Sequence, residues 1–167
     1  MPHYALTASH FAADFFTAGH KGLAMFEHHS RIVVQWGDCD PAGIVFFPNY
    51  MVWFDDCTSA LFAAAGLPLH TLFPSQGIIG VPIVDVRASF KVSAAFGDEL
   101  VTKTSVAEWR RSSFIVQHRF YKQDTLAVEG YVTRVWVAAD PAKKGAMKSR
   151  PVPREIIDRF SAHHNSD

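Results

Sequence analysis

A single helix-forming segment that follows a tight turn limits what this chain can fold into. After Pro48, apolar and small residues recur at steps of three and four, which places them on one face of a helix: Met51, Phe54, Thr58, Leu61, Phe62 and Ala65. Pro48 suits the first helical turn, where its missing N–H would have no partner, and Gly66 and Pro68 are stop signals. The sequence therefore predicts one helix of about five turns.

The segment before this helix changes from apolar to charged within a few residues. An apolar run over residues 32–36 predicts a strand, and Gly37-Asp38-Cys39-Asp40-Pro41 predicts a turn. One carboxylate ahead of a helix is ordinarily a capping or turn device, but two aspartates around one cysteine exceed that need. In an extended chain Asp38 and Asp40 share one side and Cys39 takes the other. We expect Asp40, the nearest to the turn, to face a pocket.

The region after the helix is dominated by strand patterns. Residues 84–92 alternate apolar and polar side chains, which is the pattern of a strand with one buried face. Residues 100–109, 114–121 and 126–138 predict three more strands, and their short connections predict antiparallel neighbours. One strand, one long helix and a four-strand meander predict an α+β fold in which the sheet wraps the helix.

The remaining segments carry weaker signals. Residues 67–76 read as a loop with two prolines, and residues 154–162 read as a short helix. Residues 1–27 form an N-terminal extension, in which we expect Phe11, Phe15 and Phe16 to pack on the domain or on a neighbouring subunit. Residues 28–167 are then a single domain.

Composition excludes several classes of protein. A chain of 167 residues with 49% hydrophobic residues suits one domain with one core. Sixteen basic and sixteen acidic side chains give no net charge, which argues against nucleic-acid binding. Two cysteines, no leader segment and no apolar run near 20 residues predict a soluble, cytoplasmic protein without a membrane partner.

The turn and helix together carry a family resemblance. Gly37-Asp38-Cys39-Asp40-Pro41-Ala42-Gly43-Ile44-Val45, followed by Pro48-Asn49-Tyr50, closely resembles the signature of the 4-hydroxybenzoyl-CoA thioesterase family. The likeness extends through Trp53 and Asp55, and through residues 80–84, 108–111 and 152–153, so that it covers residues 31–157. It implies the hot-dog fold, a long central helix wrapped by a curved antiparallel sheet.

The resemblance also implies a reaction, the hydrolysis of an acyl-CoA thioester, and most closely an aromatic one such as 4-hydroxybenzoyl-CoA. Asp40 would attack the thioester carbonyl or activate water, and the residues alone leave both routes open. The backbone N–H of Phe47, at the helix entrance, would stabilise the developing negative charge. Gly43 would keep the turn open to substrate.

Other residues gain a role only through the resemblance. Trp53 would line the acyl site and Asp55 would meet a ring hydroxyl, although core packing and the helix dipole would explain them equally well. Phosphate groups of CoA would be bound by the turn that holds Arg110, Arg111 and Ser113 and by a basic loop with Lys148 and Arg150. Solvated surface is the plain alternative for that loop.

Several alternatives were weighed against this interpretation. The nine histidines lack matched ligands at metal spacing, so no metal and no cofactor is expected beyond CoA, which is part of the substrate. His118 is interpreted as a hydrogen-bonded core residue and Cys39 as a structural thiol. A dehydratase would need a histidine in the turn or helix, and an acyl-CoA sensor would not need Asp40. Hydrolysis of aliphatic or larger aromatic esters, such as dihydroxynaphthoyl-CoA, stays open.

Assembly follows from the predicted sheet, because a lone sheet of this kind would expose an edge strand and offer half of a substrate cleft. We expect a homodimer or a homotetramer with active sites between subunits.

Overall fold

The computed structural model describes residues 26–161. Phe11, Phe15 and Phe16, the residues of the N-terminal extension that we expect to pack on the domain or on a neighbouring subunit, lie outside this range. At the start of the described chain, the N–H of Phe26 donates to the carbonyl of Phe160 at 3.2 Å, and the two rings meet edge to face. The chain enters the domain beside its C-terminal segment.

The elements follow one another in the order strand, helices, then strands. Strand β1 (Glu27–Val33) precedes helices α1 (Pro48–Ala64) and α2 (Leu69–Gln76). Strands β2 (Ile83–Phe90), β3 (Glu99–Trp109), β4 (Ser113–Lys122) and β5 (Thr125–Val135) follow, and then the short strands β6 (Val137–Ala139) and β7 (Met147–Ser149) and helix α3 (Arg154–Asp158). Strands β1 to β5 form an antiparallel sheet in the order β1-β3-β4-β5-β2, and β6 pairs with β7. The predicted α+β fold is confirmed.

Helix α1 lies against the sheet through one face. Four of its buried residues were on the predicted face, namely Phe54, Thr58, Leu61 and Phe62, and Tyr50 and Cys57 are buried in addition. Of the other two predicted residues, Met51 is half-buried and Ala65 is buried just beyond the end of the helix. The ring of Phe54 lies so close to the backbone of Gly130 in β5 that a Cβ on that residue would overlap it. Phe54 also stacks on the imidazole of His118 in β4, with ring centroids 4.6 Å apart.

Three local predictions were wrong. Strand β1 ends at Val33 rather than continuing to residue 36, because the N–H of Gln35 donates to the Asp38 carboxylate and turns the chain. Residues 69–76 form α2 although two prolines predicted a loop: Pro68 only precedes the helix, Pro74 is accommodated in its last turn, and Leu72 packs in the core. The single strand predicted for residues 126–138 divides at Trp136, beyond which β6 leaves the main sheet to pair with β7.

Strand β2 forms one edge of the sheet, and its apolar residues are exposed. Ile83, Val84, Val86 and Phe90 expose between 40% and 62% of their surface, whereas the alternation in the sequence predicted a buried face. The reason is its position, because β2 pairs only with β5 and has no neighbour on its other side. An unpaired apolar edge of this kind invites a second strand.

The burial of His118 leads to a prediction about pH. The side chain is fully buried and its Nδ1 lies 3.3 Å from the hydroxyl of Thr104, in agreement with its interpretation as a core residue. Burial, followed by the charge of Arg134, lowers the pKa of His118 from 6.5 to about 3. The folded protein therefore holds this imidazole neutral while the unfolded chain protonates it below pH 6.5. Its contribution to stability is complete above pH 6.5 and is lost as the pH falls toward 3.

We expect the free energy of unfolding to fall by up to about 1.4 kcal/mol per pH unit below pH 6.5 for this one proton. Urea denaturation between pH 7.5 and 5 measures the slope, at pH values where carboxylates contribute little. His118→Gln should be less stable at pH 7.5 but should show a flatter slope. His28→Gln is the matched control, because His28 is a histidine of the same sheet that is only half-buried. An unchanged slope in His118→Gln would contradict the assignment.

Candidate active site

The turn before α1 holds Asp40 in a defined position. The N–H of Asp40 donates to the carbonyl of Ile44 at 2.9 Å, and its own carbonyl accepts the N–H of Gly43 at 2.9 Å. Its Oδ1 accepts the N–H of Ala42 at 2.8 Å, while Oδ2 has no hydrogen-bond partner among residues 26–161. The half-buried carboxylate is thus fixed through one oxygen and free at the other. Gly43 has a φ of 76°, which a residue with a side chain adopts only with strain.

Asp38 has a different role in the same turn. Its Oδ2 accepts the N–H of Gln35 at 2.7 Å, and its carbonyl accepts bonds from the N–H of Phe46 and the side-chain amide of Asn49. These bonds tie the turn to the start of α1. Asp38 therefore stabilises the turn through both its carboxylate and its carbonyl. The one hydrogen bond of the Cys39 thiol in the described part of the chain goes to the carbonyl of Gln35, at 3.9 Å, and the residue packs against the core cluster that contains Val45 and Tyr50.

The N-terminus of α1 offers a hydrogen-bond donor beside this turn. The exposed Phe47 precedes Pro48, which is the first residue of the helix and has no N–H. Within the described residues, the N–H of Phe47 has no hydrogen-bond acceptor. A helix N-terminus carries partial positive charge, so this N–H is suited to an oxygen that gains negative charge during a reaction.

Asp55 borders a cavity of about 370 Å³, here called the Asp55 cavity. Its walls are otherwise mostly apolar, and they are formed by Leu69, Phe73, Ile79, Gly80, Val81, Pro82, Val137 and Met147, together with Arg134. Nη2 of Arg134 donates to Oδ1 of Asp55 at 2.6 Å. The Asp55 carboxylate is 63% exposed, whereas the side chain of Arg134 is 5% exposed. The predicted acceptor is therefore already paired with a buried cation.

Arg134 was not found by sequence reasoning, although a signal was present. It falls on the inward side of β5 together with Val128, Gly130 and Val132, where a charged residue is out of place. Trp53 does not border the Asp55 cavity. Its ring packs edge to face on Tyr50 at 5.1 Å, within the described subunit.

A second hollow lies beside the Asp40 turn, and it is called the Ile44 hollow. Ile44, Tyr50, Phe90, Val92 and Ala94 are among its walls, and its volume is about 220 Å³. It adjoins the end of β2, whereas the Asp55 cavity adjoins the start of β2 through Pro82. Within one subunit, then, the structure does not bring Asp40 and Asp55 into a common cavity.

The predicted phosphate-binding residues come together at one end of the sheet. Three backbone bonds join their segments: Val152 N–H to Arg111 carbonyl at 2.8 Å, Arg150 N–H to Trp136 carbonyl at 2.8 Å, and Trp136 N–H to Ser112 carbonyl at 2.9 Å. Arg111, Lys148 and Arg150 are exposed and make no ion pair within residues 26–161. Arg110 is held by Glu108 through two hydrogen bonds, and Ser113 accepts the N–H of Arg110 through its carbonyl.

Residues 26–161 contain neither a metal-binding cluster nor a membrane-spanning helix. No group of three or more histidine, cysteine, aspartate or glutamate side chains between residues 26 and 161 is placed to hold a metal ion. None of the helices in that same part of the chain is long and apolar enough to cross a membrane.

Comparison with known proteins places this geometry in a family. Residues 34–160 match the family model of the thioesterase-like superfamily. A 4-hydroxybenzoyl-CoA thioesterase from Pseudomonas sp. (strain CBS-3) is 45% identical over 86 residues, which cover 51% of this chain and 61% of that protein. A 1,4-dihydroxy-2-naphthoyl-CoA hydrolase from Synechococcus sp. (strain WH7803) is 27% identical over 137 residues, which cover 77% of this chain and 90% of the relative.

A solved structure extends the likeness over the whole of a relative. The crystal structure of a 4-hydroxybenzoyl-CoA thioesterase mutant complexed with 4-hydroxybenzoyl-CoA superimposes with a TM-score of 0.74 and 32% identity, covering 81% of this chain and 99% of that one. The predicted hot-dog fold is thereby confirmed. The chain belongs to the thioesterase-like superfamily. It is a thioester hydrolase of the acyl-CoA class.

Proposed function

We propose that this chain hydrolyses an aromatic acyl-CoA thioester that bears a ring hydroxyl, with 4-hydroxybenzoyl-CoA as the first candidate, to the free acid and CoA. The observation that carries the proposal is the Asp40 turn, in which one oxygen of a half-buried carboxylate has no partner among residues 26–161 and lies next to a helix N-terminus where the N–H of Phe47 has no acceptor in the same range. Both named relatives act on aromatic esters, and their names specify hydroxyl groups on the ring.

The geometry supports a short reaction sequence. Oδ2 of Asp40 attacks the thioester carbonyl carbon, or it removes a proton from a water molecule that attacks instead. Either route gives a tetrahedral carbon whose oxygen carries negative charge, and the N–H of Phe47 stabilises this oxygen. The CoA thiolate then leaves. On the covalent route, water hydrolyses the resulting anhydride and frees Asp40.

The nucleotide end of CoA would lie on the basic segments. Arg111, Lys148 and Arg150 have no competing acidic partner among residues 26–161, so their charges are available to phosphate groups. Met147 of β7 borders the Asp55 cavity, and Lys148 is the next residue in the chain. The cavity and the basic segments are thus adjacent, which suits one ligand with an apolar end and an anionic end.

The complete site would need two subunits. The ends of the eight-residue strand β2 are roughly 24 Å apart, and they border different hollows of one subunit. Antiparallel pairing of β2 with its copy about a twofold axis places the start of one strand beside the end of the other. Asp40 of one subunit would then face the Asp55 cavity of its partner. The exposed apolar residues of β2 would be buried in the same contact.

A panel of CoA esters tests the proposed function. The wild-type protein should release free thiol from 4-hydroxybenzoyl-CoA with a kcat/KM about tenfold to a hundredfold above that for benzoyl-CoA, as expected for one hydrogen bond to a charged acceptor. Asp55→Ala should reduce this preference, and Asp56→Ala is the matched control on the same helix. A dihydroxynaphthoyl ester preferred over all others would assign the larger aromatic group. Equal rates for benzoyl, hydroxybenzoyl and aliphatic esters would contradict the hydroxyl requirement.

A further inference from the structure

Arg134 is buried with most of its hydrogen-bonding capacity unused. Only 4% of the residue is exposed, yet a guanidinium has five N–H donors, and the one hydrogen bond described for it goes to Asp55. Its Nε is fully covered and has no acceptor among the described residues. A buried cation with unpaired donors is costly for stability, so its presence beside a cavity points to a ligand rather than to the fold.

The contacts of Arg134 determine which of its N–H groups are available to a ligand. Nη2 is engaged by Asp55 and Nε is covered, so Nη1 is the nitrogen left to face the cavity that Arg134 borders. Asp55 has its second oxygen, Oδ2, free of partners within residues 26–161. The cavity therefore presents one cationic donor and one anionic acceptor next to each other, in a wall that is otherwise largely apolar.

We propose that Arg134 is a substrate-binding residue that selects a hydroxyl on the acyl ring together with Asp55. This inference rests on the proposed function. The ring oxygen accepts a hydrogen bond from Nη1 of Arg134 and donates its own proton to Oδ2 of Asp55. A hydroxyl is the small group that does both at once, because its oxygen is donor and acceptor.

Other ring substituents satisfy only half of the pair. An amino group donates to Asp55 but presents further N–H groups to the guanidinium. A methoxy group accepts from Arg134 but leaves Asp55 without a donor. A carboxylate would suit Arg134 but would be repelled by Asp55, and the pair itself carries no net charge. With Asp55 alone, the cavity would bind any ring substituent that donates a hydrogen bond. With Arg134 beside Asp55, the substituent has to donate one hydrogen bond and accept another.

Equilibrium binding of unreactive analogues tests this without relying on hydrolysis. Three CoA thioethers, with a para-hydroxyl, para-amino or para-methoxy phenyl group in place of the acyl group, are titrated by calorimetry. The wild-type protein should bind the hydroxyl compound about tenfold or more tightly than either of the others. Arg134→Met should bring the hydroxyl and amino compounds to within about threefold of each other. Asp55→Asn should instead reduce the preference of hydroxyl over methoxy.

Arg134→Met should fold, because Asp55 is mostly exposed and stays hydrated when its partner is removed. Arg134→Lys keeps the charge without the planar fork, and it should also lose the discrimination against the amino compound. Arg31→Met is the matched control, since Arg31 forms an exposed ion pair with Glu99 on the opposite edge of the sheet.

Two results would overturn the inference. One is a preference for the hydroxyl compound that persists in both Arg134→Met and Arg134→Lys. The other is an equal loss of binding affinity for all three compounds, which would make Arg134 a structural residue only. The assignment of hydrolysis is judged separately on the matching thioesters. A wild-type protein that shows the binding preference but releases no thiol would support the role of Arg134 and contradict the proposed function.

Discussion

Asp40→Asn should lower kcat by about a thousandfold or more while leaving the fold intact. The asparagine carbonyl oxygen can still accept the N–H of Ala42, so the turn keeps its geometry, but the free oxygen that would attack or take a proton is lost. A general base contributes about 10²- to 10⁴-fold and a nucleophile up to about 10⁶-fold. The size of the loss therefore bears on which route operates. Thiol release at saturating substrate gives kcat, and thermal unfolding reports on the fold.

Asp38→Asn is the matched control for this variant. Its carboxylate holds the N–H of Gln35, a bond that an asparagine oxygen can also make, so we expect a small loss of activity. A burst of CoA release in the first turnover of the wild-type protein would indicate an accumulated covalent intermediate on Asp40. Turnover near the wild-type value in Asp40→Asn would reject the assignment of this residue altogether.

Val84→Glu should separate the subunits and lower kcat/KM about a hundredfold or more. Val84 lies on the outer edge of β2 with 62% of its surface exposed in a single subunit. In a twofold interface each substitution occurs twice, so two carboxylates would have to be buried without partners, which costs several kcal/mol. Isolated subunits would keep the Asp40 turn and the Asp55 cavity at opposite ends of β2, and neither end alone is a complete site. Light scattering and thiol release, measured at one protein concentration, test both statements.

Val33→Glu provides the comparison for that experiment. Val33 is 52% exposed and belongs to β1, the other edge strand of the sheet. We expect this variant to keep the assembly state and activity of the wild-type protein. A monomeric Val84→Glu protein with full activity would show that one subunit contains a complete site.

Local patterns in the sequence were sufficient to predict α1 and most of the strands of the sheet. The three- and four-residue steps after Pro48 predicted a helix that the structure ends at Ala64, one residue before the predicted end. Of the predicted four-strand meander, β3, β4 and β5 are neighbours joined by short turns, whereas β2 pairs with β5 and not with β3 as its short connection had predicted. The division at Trp136 was not predicted. The alternating pattern of residues 126–138 contains no sign that β6 pairs with β7. Such pairings depend on neighbours far along the chain.

In the candidate site, too, residues that are close together in the sequence were easier to predict than residues that are far apart in it. Asp40 and its turn stand in one short motif, so both the residues of the turn and the family resemblance pointed to them. The pair of Asp55 and Arg134 joins residues 79 positions apart, so it becomes visible only when α1 lies on β5. For β2, the alternating pattern predicted a buried face, but its apolar residues are exposed because the strand lies at the edge of the sheet, a position that the pattern does not specify. A charged residue on the buried side of β5 was the signal in the sequence that could have drawn attention to Arg134.

Gly130 determines how closely α1 packs on the sheet and thereby affects the contact between Asp55 and Arg134. Because this residue has no side chain, the ring of Phe54 rests directly on the backbone of β5, and Asp55 is the next residue along α1. The space of a single methyl group therefore sets how far α1 stands from the sheet at the level of Asp55. A larger residue at position 130 would lift the helix and lengthen the 2.6 Å contact between Asp55 and Arg134, even though its own atoms would not reach the substrate. Changes in acyl preference can thus originate at a position that forms no wall of the cavity.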